Sequence, residues 1–277
     1  MCARKSLVYH RLMPASVEVH NTPDALGEVL ASAVLAAVQD APAHQPVLLG
    51  CPGGRSLSPT YQAIGRQAAR DSCDLSRLIV VMMDEYLSER DGTLVHCSPR
   101  AHYSCARFGL EQIRGAFNKD LPPVRQLPAE SVWLPDPADP ESYERRIAAA
   151  GGISLFLLAS GASDGHVAFN PPGTPRNSRT RVIPLADTTR KDNLRTFPDF
   201  GSLDEVPLHG VSIGIATIAQ LSRSAILVIT GAHKRFAARR VTAVQNYDPD
   251  WPSTIIHECA GGRILLDQEA AGGITVQ

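Results

Sequence analysis

The run Ile153-Ser154-Leu155-Phe156-Leu157-Leu158-Ala159 is short, almost continuously apolar, and followed at once by Ser160-Gly161-Ala162-Ser163-Asp164-Gly165-His166. Such a run suits a parallel strand covered on both faces, and open parallel sheets place ligands beyond the carboxyl ends of their strands. Asp164 and His166 then stand at the edge of a site. An aspartate can orient an imidazole and hold one of its tautomers, and a histidine moves protons near neutral pH. Asp-Gly is also a common turn dipeptide, so these residues alone leave a plain turn open.

Strand-like and helix-like segments alternate along the rest of the chain. Val17-Glu18-Val19 precedes a helix signalled by Asn21-Thr22-Pro23-Asp24 and reaching about Val38, with Pro23 in a first turn that tolerates proline. Val47-Leu48-Leu49, a glycine loop and a helix to about Ala69 follow, then the strand Leu78-Ile79-Val80-Val81-Met82-Met83, which Asp84 ends. Residues 98–150 read as helical with a Pro-rich interruption at 121–139. Later strands are expected at Arg181-Val182-Ile183, Ala225-Ile226-Leu227-Val228-Ile229, Thr254-Ile255-Ile256 and Arg263-Ile264-Leu265-Leu266. The interleaving predicts a Rossmann-like α/β fold with a mostly parallel sheet and helices on both faces.

Composition narrows the class of function. A net charge of −1 over 277 residues offers no general attraction to nucleic acid or to an anionic membrane. No apolar stretch reaches the roughly 18 residues that span a bilayer. The six cysteines (Cys2, Cys51, Cys73, Cys97, Cys105 and Cys259) form no CxxC pair, and the region after Met1 lacks the apolar run of a signal peptide. Reduced thiols in a cytoplasmic protein are the expectation. His96, Cys97 and His102 lie close together in sequence but not at a metal-ligand spacing, so no metal and no cofactor is expected.

Pro52-Gly53-Gly54-Arg55-Ser56 lies between a strand and a helix. Glycines there let backbone N–H groups approach an anion, and the helix N-terminus adds a favourable dipole. A phosphate would suit such a loop, although a glycine pair there is often only a turn; neither GxxxxGK[ST] nor GxGxxG is present, so neither a nucleoside triphosphate nor a dinucleotide site is indicated.

Several segments together resemble the glucosamine-6-phosphate deaminase/isomerase family, the relatives of 6-phosphogluconolactonase. They are Leu49-Gly50-Cys51-Pro52-Gly53-Gly54-Arg55-Ser56, Met83-Asp84-Glu85-Tyr86-Leu87, Asp164-Gly165-His166-Val167-Ala168-Phe169-Asn170, Ser178-Arg179-Thr180-Arg181, and Thr189-Arg190-Lys191-Asp192-Asn193-Leu194-Arg195. Val211-Ser212-Ile213-Gly214-Ile215-Ala216-Thr217-Ile218 and Gly231-Ala232-His233-Lys234 complete the set in family order. The resemblance implies one domain over residues 1–277 and a small-molecule sugar phosphate as ligand, with homo-oligomers possible. It implies that Asp84 is the base at the sugar C2, that His166 opens the pyranose ring with Asp164 as its partner, and that Arg195 and Lys234 join Gly53, Gly54, Arg55 and Ser56 around the phosphate.

The pattern is also broken. The family motif continues Phe-Asn-Glu-Pro, whereas this chain reads Phe169-Asn170-Pro171-Pro172, and a proline cannot transfer a proton. Glu85 and His102 are the nearest groups that could replace the glutamate, although Glu85 reads better as a supporting residue. Gly53-Gly54-Arg55-Ser56 looks like the Gly-Gly-Arg-Thr of lactonases, while the other segments are of deaminase type. Arg179 and Arg181 alternate on an apparent strand, which places them on one face. Arg181 falls where some deaminases bind an allosteric sugar phosphate, but the basic residue those enzymes carry two positions later is Ile183 here, so no such activation is expected.

Overall fold

Five apolar runs become buried strands whose side chains point alternately to two cores, which is how a parallel sheet can be sealed on both faces. Leu49, Val80, Leu157 and Val228 feed one core, while Leu48, Val81, Phe156, Leu158 and Leu227 feed the other. A computed structural model describes residues 14–274; the readings on Met1 and Cys2 fall outside them. In chain order the first half holds β1 (Ser16–His20), α1 (Pro23–Asp40), β2 (Val47–Cys51), α2 (Ser58–Arg70), β3 (Leu78–Met82), β4 (Asp84–Arg90), β5 (Thr93–His96), α3 (Cys105–Phe108), α4 (Gly115–Asn118) and β6 (Val132–Trp133). The second half holds α5 (Pro140–Ala149), β7 (Leu155–Ala159), β8 (Arg181–Pro184), α6 (Asp187–Thr196), β9 (His209–Ser212), α7 (Ile215–Leu221), β10 (Ala225–Ile229), α8 (Arg235–Thr242), β11 (Arg263–Asp267) and α9 (Gln268–Ala271). Helix α1 starts as its sequence predicts: Pro23 occupies the first turn and the Thr22 hydroxyl accepts a hydrogen bond from Ala25 N at 3.1 Å.

The main sheet has seven parallel strands in the order β1-β11-β10-β7-β2-β3-β6. The chain builds outward from β2 to β3 and β6, then returns to β7 and builds the other way. The order therefore reverses between β2 and β7, and the crevice beyond their carboxyl ends is where such sheets bind ligands. α1 and α2 cover one face; α5, α7, α8 and α9 cover the other.

A second sheet was not anticipated. Four antiparallel strands in the order β5-β4-β9-β8 stand beyond the carboxyl end of β3. Asp84 consequently does not end the preceding strand: β3 stops at Met82, and Asp84 opens β4, paired with Ser212 of β9. Thr254-Ile255-Ile256 is not a strand but part of a 3₁₀ helix, Pro252–Glu258. Pro252 favours the first turn, Ser253 N donates to Gly165 O at 2.8 Å and the Thr254 hydroxyl to Trp251 O at 2.7 Å. Residues 98–150 hold α3, a π-helical turn at Gly109–Arg114, α4 and α5, but also the two-residue strand β6. Arg179 precedes β8, and its partner, Glu144, is not shared with Arg181, which bonds Asn170; the two arginines do not act as one face. No helix among the described residues is long and apolar enough to cross a membrane.

Candidate active site

The loops after β2, β3, β7 and β10 wall one cleft of about 790 Å³. Gly53, Gly54, Arg55, Ser56, Asp84, His166, Arg195 and Lys234 all line it, and Asp164 stands behind His166. Residues scattered over most of the sequence thus meet at the reversal point of the strand order.

In the glycine loop, Gly54 has φ of +89°, and a Cβ there would meet no atom within 4 Å, so backbone conformation and not crowding calls for glycine. Lys234 is 9% exposed and donates to Ser160 O at 2.9 Å and to the Ser56 hydroxyl at 3.1 Å. Burial lowers its ammonium to about 8, a mark of a cation held ready for an anionic partner. Arg55 donates to the carbonyl of Arg195 at 3.3 Å, tying the glycine loop to the end of α6, while the Arg195 guanidinium is largely in solvent at the rim.

On the opposite wall, His166 Nδ1 lies 2.7 Å from Asp164 Oδ1, which also accepts the His166 backbone N–H at 3.1 Å. The Thr188 hydroxyl donates to Asp164 Oδ2 at 2.6 Å. Burial works against the Asp164 charge, yet the hydrogen bond and charge of His166, with Thr188, hold its carboxyl well below the usual range. An ionised Asp164 fixes the proton on Nδ1 and leaves Nε2 to act on a ligand. Two further devices shape this loop. Gly165 has φ of +66°, and a Cβ there would lie 2.3 Å from the Trp251 ring. Ala168 carries φ of +51°, a strained value for a residue with a Cβ, and it lines the cleft.

Asp84 differs in kind. It is 6% exposed, and burial, reinforced by the adjacent Glu85 charge, pushes its carboxyl up to about 7 against the opposing effects of Cys105 and His166. Cys105 Sγ donates to Asp84 Oδ1 at 3.4 Å. Glu85 points away from the cleft, where Ser104 Oγ and the N–H groups of Tyr86, Cys105 and Ala106 surround its carboxylate. Glu85 does not line the cleft. His102 does line the cleft, but its ring packs against Phe200 at 4.5 Å and its Nε2 is buried without a partner among the described residues. Pro171 is not a lining residue; its carbonyl accepts from Thr174 N and Oγ1 in a tight turn, next to a fully buried Asn170 whose amide donates to Val167 O and Ile213 O.

Sequence reasoning missed Thr188, Cys105 and the aromatic wall of Tyr86, Tyr103, Phe169 and Phe197. Tyr86 and Phe169 stand inside the family-like segments without a role assigned to them, and nothing in local spacing marks the others. His96, Cys97 and His102 go separate ways, to Pro135 O, Glu85 and the aromatic wall, and no cluster of three metal-ligating side chains occurs among the described residues.

Comparison with known proteins agrees with the geometry. Residues 21–265 match the family model described as glucosamine-6-phosphate isomerases/6-phosphogluconolactonase. A glucosamine-6-phosphate deaminase of Pseudarthrobacter chlorophenolicus is 33% identical over 238 residues, covering 82% of this chain and 81% of that protein. The solved structure of a monomeric glucosamine-6-phosphate deaminase superposes with a TM-score of 0.74 at 25% identity, covering 93% of this chain and 99% of that one. A 6-phosphogluconolactonase from Trypanosoma cruzi shares the fold, with a TM-score of 0.64 at 18% identity over 96% of this chain and 99% of that one. With its strand order, its cleft and these relatives in agreement, the chain belongs to the glucosamine-6-phosphate isomerase/6-phosphogluconolactonase family of enzymes.

Proposed function

We propose that this enzyme acts on an amino-sugar 6-phosphate, moving a proton between C2 and C1 and releasing the amine as ammonia to leave a ketose 6-phosphate. Gly53, Gly54, Arg55, Ser56, Arg195 and Lys234 hold the phosphate by charge-assisted contacts. His166, its tautomer fixed by Asp164, takes the proton from the anomeric hydroxyl and delivers it to the ring oxygen as the C1–O5 bond breaks and the C1 aldehyde forms. Asp84 removes the C2 proton and returns it at C1, after which one water displaces the amine. The chain works as one domain, since loops from both halves of the sequence wall the same cleft.

The observation that carries this reading is Asp84: a nearly buried carboxylate, raised to about 7, in the same cleft as His166 and the glycine loop. A general base is most effective when its pKa lies near the working pH. A lactonase reading, favoured by Arg55-Ser56 after the glycine pair, has His166 activate water and leaves Asp84 without a task. Pro171 marks the cost of divergence. With Glu85 saturated by hydrogen bonds, slow turnover of glucosamine 6-phosphate with binding retained is expected. Assaying ammonia and ketose from several hexosamine 6-phosphates beside hydrolysis of 6-phosphogluconolactone tests the proposal: ammonia release without lactone hydrolysis is expected, and the reverse pattern overturns it.

A further inference from the structure

We infer that Cys105, fixed in place by Glu85, is the positioning residue for Asp84: its thiol aims one carboxylate oxygen and leaves the other for the substrate. The inference deepens the proposed function and rests on Asp84 being the base.

The geometry has two layers. Glu85 accepts the N–H groups of Cys105 at 2.9 Å and Ala106 at 2.8 Å, and the Ser104 hydroxyl at 3.0 Å, so the first turn of α3 is bolted to β4. Neighbouring residues on a strand point to opposite faces, so Asp84 and Glu85 diverge. Glu85 grips the backbone at Cys105, while the side chain of Cys105 reaches Oδ1 of Asp84 at 3.4 Å. Among the described residues no other side-chain or backbone donor reaches the Asp84 carboxylate.

The choice of thiol has a chemical consequence. A carboxylate in a dry site with hydroxyl or amide donors becomes a weak base, as Asp164 illustrates with its three donors. A carboxylate with no donor is free to rotate away. A thiol is a weaker donor than a hydroxyl or an amide, so it fixes orientation while lowering the carboxyl only part of the way against burial. Burial and the Glu85 charge push the Cys105 thiol far up, which keeps it protonated and donating throughout the working pH range. The other titratable groups around Asp84 are Glu85 and Tyr86 on its own strand, His166 from the loop after β7, and Tyr143 of α5, whose hydroxyl is committed to Met82 O and Trp133 O.

The test compares wild type, Cys105→Ser, Cys105→Ala and Asp84→Asn. Carboxyl-carbon NMR of the unliganded, aspartate-labelled protein follows Asp84 through pH, its resonance being the one missing in Asp84→Asn. The Asp84 midpoint should fall by about one pH unit in Cys105→Ser, because a hydroxyl binds a carboxylate more strongly, and rise in Cys105→Ala. The same order should appear in the acid-limb midpoint of kcat/KM for loss of the C2 hydrogen of glucosamine 6-phosphate, where activity rises as Asp84 loses its proton, with KM little changed. Identical midpoints in the three Asp84-containing proteins overturn the inference. Undiminished C2 exchange in Asp84→Asn instead removes the proposed role of Asp84, and the NMR midpoints still decide whether Cys105 governs that carboxylate.

Discussion

Asp84 and Asp164 are both nearly buried carboxylates within electrostatic reach of His166, and the fold treats them in opposite ways. Asp164 receives an imidazole, a backbone N–H and a hydroxyl, and stays ionised. Asp84 receives one thiol and sits beside the charge of Glu85, and its carboxyl rises to about 7. Burial raises both; the Glu85 charge pushes Asp84 up further, while the hydrogen bonds and charge of His166, with Thr188, bring Asp164 down. On the proposed function the two take different jobs, Asp84 moving protons and Asp164 holding His166.

The sharpest way to break the contrast is to neutralise each aspartate in turn. Asp84→Asn should lower turnover of a hexosamine 6-phosphate by about a hundred- to ten-thousand-fold, the range expected for a lost acid–base group, without weakening substrate binding. Asp164→Asn should cost about a hundredfold, the low end of that range, since His166 remains but loses its preferred tautomer. Steady-state kinetics beside calorimetric binding distinguishes these from collapse of the site. Lys234→Ala should weaken binding of the sugar phosphate by about ten- to a hundredfold and leave the unphosphorylated sugar unaffected. Equal losses for both ligands would place the phosphate elsewhere.

Stability against pH sharpens the same comparison. Between about pH 4 and 7 the folded protein keeps a proton on Asp84 that the unfolded chain has released, so this residue lowers stability as pH rises through that window. Asp84→Asn should therefore stabilise the protein above pH 7, by up to about 4 kcal/mol for a rise of about three pH units and read as a higher Tm, and do nothing below pH 4. Asp164 has the opposite sign: its contribution is present above the ordinary aspartate value and is lost as pH falls below it. Asp164→Asn should lower Tm at pH 7 and not at very low pH. Thermal melts of both variants across pH check the crossing.

Five strands of the main sheet were legible because they are continuous apolar runs, several of them ending in glycine loops, and a strand's carboxyl end is a place that sequence alone can name; β6, two residues in a Pro-rich stretch, was not. Gly53, Gly54, Asp164, His166 and Lys234 follow from that logic once the runs are located. The second sheet was not legible. Strand β4 begins with two carboxylates and ends with charged residues, and its buried half is explained by hydrogen bonds from α3 and not by an apolar pattern. Thr254-Ile255-Ile256 misled in the other direction: a β-branched apolar triplet that the Pro252 turn and the Gly165 carbonyl wind into a 3₁₀ helix. Cys105 and Thr188 were invisible because their importance is a contact with one distant carboxylate each.

Incubation with glucosamine 6-phosphate in deuterium oxide tests the central claim most directly, since it reads the C2 proton and nothing downstream. Wild type should introduce deuterium at C2 of recovered substrate or at C1 of the ketose, even where Pro171 holds ammonia release below the ordinary enzyme range of about 1 to 1000 per second. Asp84→Asn, still binding the sugar phosphate, should introduce it about a hundred- to ten-thousand-fold more slowly. Deuterium incorporation at the wild-type rate in Asp84→Asn would contradict the account, as would its absence from wild type beside rapid hydrolysis of 6-phosphogluconolactone.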